Sequence, residues 1–219
     1  MFEILYEDNH IIVVVKERGI LSQAGEKNIP DMLNLIKEYI KNKYNKPGNV
    51  YLGLVHRLDI NTKGIMVFAK TSKAAARLSL AIMNKDFHKY YIATVIGKLD
   101  NKDYTRLEQY IKKDEKLRKS FISNDGDLAI LEYKAISSYK INNIDVTNVD
   151  IKLHTGRFHQ IRCQMASIGH PLYGDTKYGS NIQVPNDEFP LIAYKLEFVH
   201  PVTKELLKFE IRCEDEFKH

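Results

Sequence analysis

A chain of 219 residues is long enough to bury a substantial core and suits one domain or two small ones. Hydrophobic residues make up 44% of the chain and charged residues 28%, an ordinary globular composition that excludes wholesale disorder and a membrane-embedded protein. The 33 Lys and Arg residues outnumber the 28 Asp and Glu residues, and the net charge of +5 permits a polyanionic partner without demonstrating one.

The two cysteines indicate the cellular compartment. Cys163 and Cys213 lie far apart and form no Cys-x-x-Cys motif, so we expect reduced thiols in a cytoplasm, with neither a disulfide nor a zinc knuckle. The N-terminal apolar run, residues 11–15, follows acidic residues and is too short for a signal peptide or a membrane span. We therefore expect a cytoplasmic protein without membrane association.

The first half of the chain predicts alternating strands and helices. The β-branched run 11–15, followed by a turn at 16–19, predicts a buried strand, and apolar residues at 33, 36 and 40 predict an amphipathic helix, with Asp31 in its first turn, that stops by 45–48. Asp59 falls in a polar loop between two extended segments. The remaining predictions in this half are a strand at 65–69, a helix at 72–83 capped by Thr71 or Ser72, and a strand from 91 to 96.

The second half adds strands and one short helix. The charge-rich stretch 112–119 predicts an exposed loop or hairpin tip, either a solvated face or a finger that touches RNA. Alternation over 149–153 predicts a half-buried strand, a turn follows at 155–156, and 159–168 has helical spacing and stops at Gly169. Runs 191–199 and 205–211 predict a hairpin. Strands outnumber helices without regular alternation, which predicts an α+β domain with a mixed, largely antiparallel sheet rather than a doubly wound parallel fold.

One candidate site is the segment His56-Arg57-Leu58-Asp59. A carboxylate two residues from an arginine, on a loop that leaves a buried strand, can be desolvated and yet stay ionised. Asp59 is therefore a candidate nucleophile or base. The alternative is a structural aspartate that caps a turn or pairs with Arg57.

The second candidate site is the segment 154–162, where polar side chains surround the predicted start of a helix. Free N–H groups and the helix dipole favour a carboxylate or phosphate there. Zinc binding by His154, His159 and His170 is the rival interpretation, but their spacing fits no familiar ligand pattern, so we expect no metal. Lys89-Tyr90-Tyr91 and Lys177-Tyr178 suit base stacking combined with phosphate contact, or ordinary packing. Glycine-rich phosphate loops and Gly-x-Ser-x-Gly are missing, which weighs against nucleotide-dependent chemistry.

Together these segments resemble the RluA-type pseudouridine synthases. His-Arg-Leu-Asp, Thr-x-Gly and an apolar strand ending in Ala-Lys run from His56 to Lys70, and Lys-x-Tyr-x-Ala-x-Val-x-Gly runs from Lys89 to Gly97. Thr-Gly-Arg-x-His-Gln-Ile-Arg and the motifs after it extend from Thr155 to Gly179. The opening Leu-Tyr-Glu-Asp and the later Phe-Val-His-Pro-Val-Thr also match, so the resemblance covers nearly the whole chain in the right order.

The resemblance implies an α+β pseudouridine synthase fold. It implies one catalytic domain over residues 1–219, with no separate S4-like RNA-binding domain before Phe2. It also implies an enzyme that works without a cofactor on structured RNA, either rRNA or tRNA. Since nothing in the sequence demands more, we expect a monomer without an obligate protein partner. The implied catalytic residues are Asp59, Tyr91 as active-site tyrosine, and Arg162 as the basic partner of Asp59. Arg57 would help to hold the flipped-out RNA, and the further candidates for RNA contacts are Lys89, Arg157 and His159.

The implied reaction breaks the N1–C1′ bond of uridine, rotates the base, joins C5 to C1′ and removes the C5 proton, with no redox change. Asp59 could attack C1′ or take a sugar proton to give a glycal, and both routes stay open. Three residues depart from the family pattern: Glu17 replaces a proline, Lys63 a serine, and Phe158 a threonine or serine. A non-enzymatic RNA-binding or RNA-folding protein is the alternative, and a glycosidic hydrolase would need a second carboxylate that no motif supplies.

Overall fold

The computed structural model describes residues 2–25 and 29–213, which form two compact units. The first unit comprises the described residues up to His88 together with Lys195–Ile211, and the second comprises Lys89–Tyr194 and the described residues after Ile211. The helices are α1 (Met32–Lys43), α2 (Ser72–Met83) and α3 (Gln160–Ser167). The strands are β1 (Glu3–Glu7), β2 (Ile11–Lys16), β3 (Gly53–Leu54), β4 (Lys63–Ala69), β5 (Phe87–Ile96), β6 (Thr105–Asp114), β7 (Lys119–Ile122), β8 (Asp127–Ile141), β9 (Ile144–Leu153), β10 (Leu191–Val199) and β11 (Leu206–Glu210).

In the first unit the strands follow the order β1-β2-β4-β10, with β3 also on β4 and β11 also on β10. Every residue of β2 is buried, because this β-branched strand lies between β1 and β4. Asp31 and Thr71 cap α1 and α2 by accepting the amides of Asn34 and Ala74. Buried side chains of β2, β4, α2, β5 and β10 form one core cluster: Ile11, Val13, Ile65, Val67, Ala69, Ala74, Leu78, Phe87, Leu196 and Phe198.

In the second unit the strand order is β5-β9-β8-β6-β7, and all of these pairs are antiparallel. Helix α3 packs on β6 and β7 around a small core that contains Ile111, Ala129, Cys163 and Tyr178. The boundary between the units falls within β5 and within β10. No helix in the described part of the chain is long and apolar enough to cross a membrane.

The α+β class with a largely antiparallel sheet is confirmed, as are the three helices, the hairpin of β10 and β11, and the position of residues 112–119 at a hairpin tip. Three details differ. Asp31 and His159 are N-caps rather than helical residues, and only Gly53–Leu54 of the extended segment before Asp59 is a strand. Strands β1, β6, β7 and β8 were not predicted, because their partly exposed residues lack clean apolar alternation.

Candidate active site

A buried serine, Ser22, forms hydrogen bonds with the backbone of the loop that carries Asp59. Ser22 Oγ donates to the carbonyl of Leu58 at 2.8 Å and accepts the amide of the same residue at 3.0 Å. Ser22 and Leu58 are 5% and 8% exposed, so these two hydrogen bonds are sheltered from water. The residue before Asp59 is therefore fixed at both of its backbone polar groups.

The residue after Asp59 is fixed as well. The carbonyl of Ile60 accepts the amide of Gly19 at 2.9 Å and the ammonium of Lys16 at 3.0 Å. Lys16 is fully buried and also donates to the carbonyls of Glu17 and Ile20, so three ammonium protons match three backbone acceptors. With both flanking peptides fixed, the Asp59 backbone has little freedom to move.

Lys16 also places a positive charge close enough to Asp59 for the two charges to interact. Burial lowers the pKa of Lys16 to about 7, and the negative charges of Asp59 and Glu17 oppose that shift. Sequence analysis missed Lys16 as a site residue and looked instead to Arg57, whose side chain is exposed. The available signal was a lysine at the end of an otherwise apolar strand, a position that calls for a buried partner.

His56 belongs to the scaffold of the same loop. Its Nε2 accepts the amide of Val67 in β4 at 3.1 Å, and its ring packs edge-on against Phe87 at a centroid distance of 5.3 Å. An Nε2 that accepts a backbone hydrogen bond carries no proton. Asp59 itself is half-buried. The amide of Thr62 donates to the Asp59 carbonyl at 3.0 Å and closes the turn that follows.

In the second unit, Arg162 of α3 is held by a buried carboxylate. Arg162 Nε and Nη2 donate to the two carboxylate oxygens of Asp175 at 2.6 and 2.8 Å. The two side chains are 11% and 1% exposed, so the pair is shielded from solvent. The guanidinium also lies over the rings of Tyr178 and Phe189, 5.0 and 5.3 Å from their centroids.

His159 supports the same guanidinium from a second side. Its Nε2 accepts from Arg162 Nη1 at 3.1 Å, which leaves the ring proton on Nδ1, 3.0 Å from the hydroxyl of Tyr178. That hydroxyl also accepts the amide of Ser120 at 2.7 Å. Burial, followed by the positive charges of Arg162 and Lys177, lowers the pKa of His159 to about 3. His159 is thus neutral at physiological pH.

The turn before α3 is held by the side chain of Gln160. Its Oε1 accepts the amide of Arg157 at 3.0 Å and the hydroxyl of Thr155 at 2.8 Å. His159, the N-cap of α3, has φ 49°, a left-handed conformation, and makes no side-chain cap. The anion site at the start of α3 stays a prediction.

The other predicted site residues of the second unit lie on β5 and at the turn before α3. Arg157 is exposed, donates to the carbonyl of Leu128 at 3.0 Å and lies 3.8 Å from Asp127. Tyr91 is 5% exposed, and Lys89, two residues earlier, shares its face of the strand. Lys89 is half-buried, and burial lowers its pKa to about 8.

The structure thus places Asp59 and Arg57 in the first unit and the other predicted site residues in the second. It brings His159 and Arg162 into contact, and it places Lys89 and Tyr91 on one strand face. Sequence analysis missed Ser22, which matches no motif, and Asp175, for which the signal was its position in the Gly-Asp-x-x-Tyr-Gly motif of the family. The pairing of Arg162 with Asp59 stays a prediction.

The three residues that depart from the family pattern have defined contacts. Phe158 stacks on His159 with a centroid distance of 3.8 Å, and Lys113 lies over the Phe158 ring at 4.8 Å. The other two, Lys63 and Glu17, pair with each other at 3.2 Å. All three make local contacts without replacing any of the predicted site residues.

The three histidines considered for zinc have separate partners. His154 lies 3.3 Å from Glu132, His170 Nδ1 is 2.8 Å from the carbonyl of Ile96, and His159 contacts Arg162 and Tyr178. Within residues 2–25 and 29–213, no cluster of three or more His, Cys, Asp or Glu side chains could hold a metal ion.

The chain combines a largely antiparallel α+β fold with an Asp59 loop whose flanking peptides are fixed in the first unit and an Arg162 guanidinium that is held by an ion pair in the second. The family model described as RNA pseudouridylate synthase matches residues 10–167. The chain belongs to this family and is an RNA pseudouridine synthase.

Relatives and solved structures agree with this assignment. The chain is 36% identical over 225 residues to an uncharacterized RNA pseudouridine synthase of Aquifex aeolicus, covering 98% of this chain and 70% of that protein. It is 32% identical to ribosomal large subunit pseudouridine synthase D of Pseudomonas aeruginosa, covering 98% of this chain and 69% of that one. The structure of human RNA pseudouridylate synthase domain containing 1 has the same fold, with a TM-score of 0.73 at 20% identity over 97% of this chain and 83% of that one.

Proposed function

We propose that the chain isomerises uridine to pseudouridine in structured RNA, either rRNA or tRNA, as one catalytic domain with Asp59 as the catalytic carboxylate. The observation that carries the proposal is the fixed position of Asp59, whose flanking residues Leu58 and Ile60 are both hydrogen-bonded to buried groups. A carboxylate held in this way reaches a reacting atom with little loss of conformational entropy.

Asp59 would act on C1′ of a uridine that has been flipped out of its stack. Flipping costs a few kcal/mol, which stacking and phosphate contacts would offset. The ionised carboxylate can attack C1′ or remove a sugar proton, and the positive charge of buried Lys16 favours the ionised form in both routes. Tyr91, nearly buried on β5, would stack on the uracil.

Arg162 is proposed as the basic partner of Asp59. Such a role needs a guanidinium that is held in one orientation. Three of the five N–H groups of Arg162 donate to Asp175 and His159, and these bonds fix its orientation.

The residues proposed to contact RNA differ in exposure and in charge. Arg57 and Arg157 are exposed, as phosphate contacts require. His159 is neutral, so it would contact RNA as a polar aromatic ring rather than as a cation. Lys89 would lie close to the flipped base, beside Tyr91.

The test is the Asp59→Asn variant, compared with Asp86→Asn at an exposed position. Each protein is incubated with total RNA from a strain that lacks the gene, and pseudouridine is mapped by carbodiimide chemistry. We expect modification by the wild type and Asp86→Asn and none by Asp59→Asn, with equal thermal unfolding midpoints. Modification by Asp59→Asn would refute the role of Asp59. RNA binding without any wild-type product would indicate an RNA-binding or RNA-folding protein, and release of free uracil would indicate a hydrolase.

We also propose a cytoplasmic monomer that needs no cofactor and no obligate protein partner. The buried thiols of Cys163 and Cys213, which form no disulfide, support a reducing compartment. Light scattering of the purified active protein would test its mass, and activity after exhaustive dialysis against chelator would test the independence from metals and diffusible cofactors.

A further inference from the structure

The ammonium of Lys89 has an unusual position for a lysine on a strand. Its cross-strand neighbour in β9 is Leu153, whose own neighbour in β8 is Leu131. A Cβ placed on Gly156 would lie 3.3 Å from Lys89 Nζ, so the amine reaches the turn that precedes α3. The side chain thus runs past apolar residues to a turn of backbone.

Tyr91 lies one step along the same strand face. Residues two apart on a strand are roughly 6.5–7 Å apart, so a base stacked on Tyr91 would be within reach of the long Lys89 side chain. The next cross-strand row contains Tyr91, Ile151 and Tyr133, so the titratable side chains beside Lys89 in these two rows of β5, β9 and β8 are phenols.

We propose that Lys89 is the proton acceptor for C5 of the rotated uracil. This inference rests on the proposed function, in which Tyr91 stacks on that uracil. It assigns to Lys89 a catalytic role, in place of a contact to an RNA phosphate.

The step balances without an oxidant or a reductant. Once C5 has bonded to C1′, C5 still carries its hydrogen and C6 is doubly bonded to N1. The lone pair of Lys89 Nζ takes the C5 proton, the C5–H electron pair forms the C5–C6 double bond, and the C6–N1 pair returns to N1. N1 takes a proton from solvent, which completes pseudouridine.

The protonation state of Lys89 agrees with this role. Burial alone lowers the pKa of the amine to about 8, and no charged group among the described residues adds to the shift. An amine with that pKa is roughly one-tenth neutral at pH 7, and a base is most effective when its pKa lies near the working pH. An uncompensated buried lysine is the usual form of a basic lysine in catalysis.

Two substitutions separate proton transfer from phosphate binding. Lys89→Met removes the amine, whereas Lys89→Arg keeps a permanent charge that binds phosphate well but cannot accept a proton. We expect both variants to lower kcat by about 100- to 10,000-fold. Lys98→Met, at a side chain that is 70% exposed, is the matched control and should keep wild-type kcat.

The isotope effect at C5 identifies the affected step. RNA that carries 5-deuteriouridine should react with a larger isotope effect in both Lys89 variants than in the wild type, because loss of the C5 proton becomes rate-limiting. The wild-type kcat should also rise with pH towards a plateau near pH 8, and the variants should lack this dependence. Gly156→Ala, which crowds the amine without removing it, should lower kcat and leave RNA affinity unchanged; it provides the test if Lys89→Met does not fold.

Two results would overturn the role of Lys89 as the base. Wild-type kcat in Lys89→Arg, or a higher KM with an unchanged isotope effect in Lys89→Met, would show that Lys89 binds phosphate and would overturn its role as base. Neither result would affect the proposed function. A wild-type protein that forms no pseudouridine would overturn both proposals.

Discussion

Arg162 and Asp175 form a two-point ion pair that is nearly closed to solvent, with N–O distances of 2.6 and 2.8 Å. The two residues stand 13 positions apart, on α3 and on the turn that follows it. The pair sets the plane of the guanidinium, and His159 occupies a third donor of the same group. These hydrogen bonds hold the guanidinium in one orientation in the free protein.

We expect Asp175→Asn to lower the free energy of unfolding by about 3–5 kcal/mol, because the nearly buried Arg162 guanidinium loses its carboxylate. Urea unfolding at pH 7 measures the change. Asp127→Asn is the matched control, since its ion pair with Arg157 involves a carboxylate side chain that is 74% exposed and should contribute about 0.5 kcal/mol or less. Equal losses of unfolding free energy in the two variants would show that burial does not strengthen the ion pair of Arg162 with Asp175.

We expect Ser22→Ala to loosen the Asp59 loop. The substitution removes a buried hydroxyl that satisfies both the amide and the carbonyl of Leu58, at a cost of about 1–3 kcal/mol in unfolding free energy. The kcat should fall as well, because the position of Asp59 becomes less defined. Chemical denaturation and single-turnover assays measure the two effects.

Ser79→Ala, on the exposed face of α2, is the control for Ser22→Ala and should change stability by no more than about 0.5 kcal/mol. A Ser22→Ala protein with full kcat would mean that the loop keeps its conformation without the hydroxyl.

We expect Arg57 to act through its charge on RNA phosphates. Arg57→Gln should reduce the slope of log affinity against log salt by about 1, because one fewer counterion is released on binding. Arg57→Lys is the matched control and should restore the slope. RNA binding measured over a range of salt concentrations gives both values, and an unchanged slope in Arg57→Gln would exclude a phosphate contact.

We expect protonation of Glu7 to lower the free energy of unfolding in acid. Burial alone would raise the pKa of Glu7, but hydrogen bonds from Lys43, Lys70, Tyr44 and Tyr39 lower it to about 2. Because this pKa is below the ordinary value of 4.5, the ionised group stabilises the folded state above pH 4.5, and the benefit disappears as the pH falls towards 2.

Glu7→Gln should therefore reduce the unfolding free energy at pH 7 by about 2–3 kcal/mol, and its difference from the wild type should narrow below pH 4.5. Glu3→Gln, at an exposed position of the same strand, should unfold like the wild type. Urea unfolding at several pH values tests this, and a constant difference between Glu7→Gln and the wild type would refute it.

Much of the fold could be predicted from local patterns. The β-branched run of β2 and the helical spacing of α1 and α2 are signals that arise within a few residues, and they gave the correct elements. Strand β6 alternates poorly, because most of its residues are at least partly exposed, so the pattern gave no strand signal.

The sequence by itself determined the family and the principal candidates, because the motifs around Asp59, Tyr91 and Arg162 are contiguous and stand in a fixed order. Only the tertiary structure showed that Ser22 holds a peptide 36 positions away, that Lys16 is the buried charge near Asp59, and that His159 is neutral. The physical reason is that hydrogen-bond partners and desolvation depend on which distant segments pack together, and a local pattern of residue types does not contain that information.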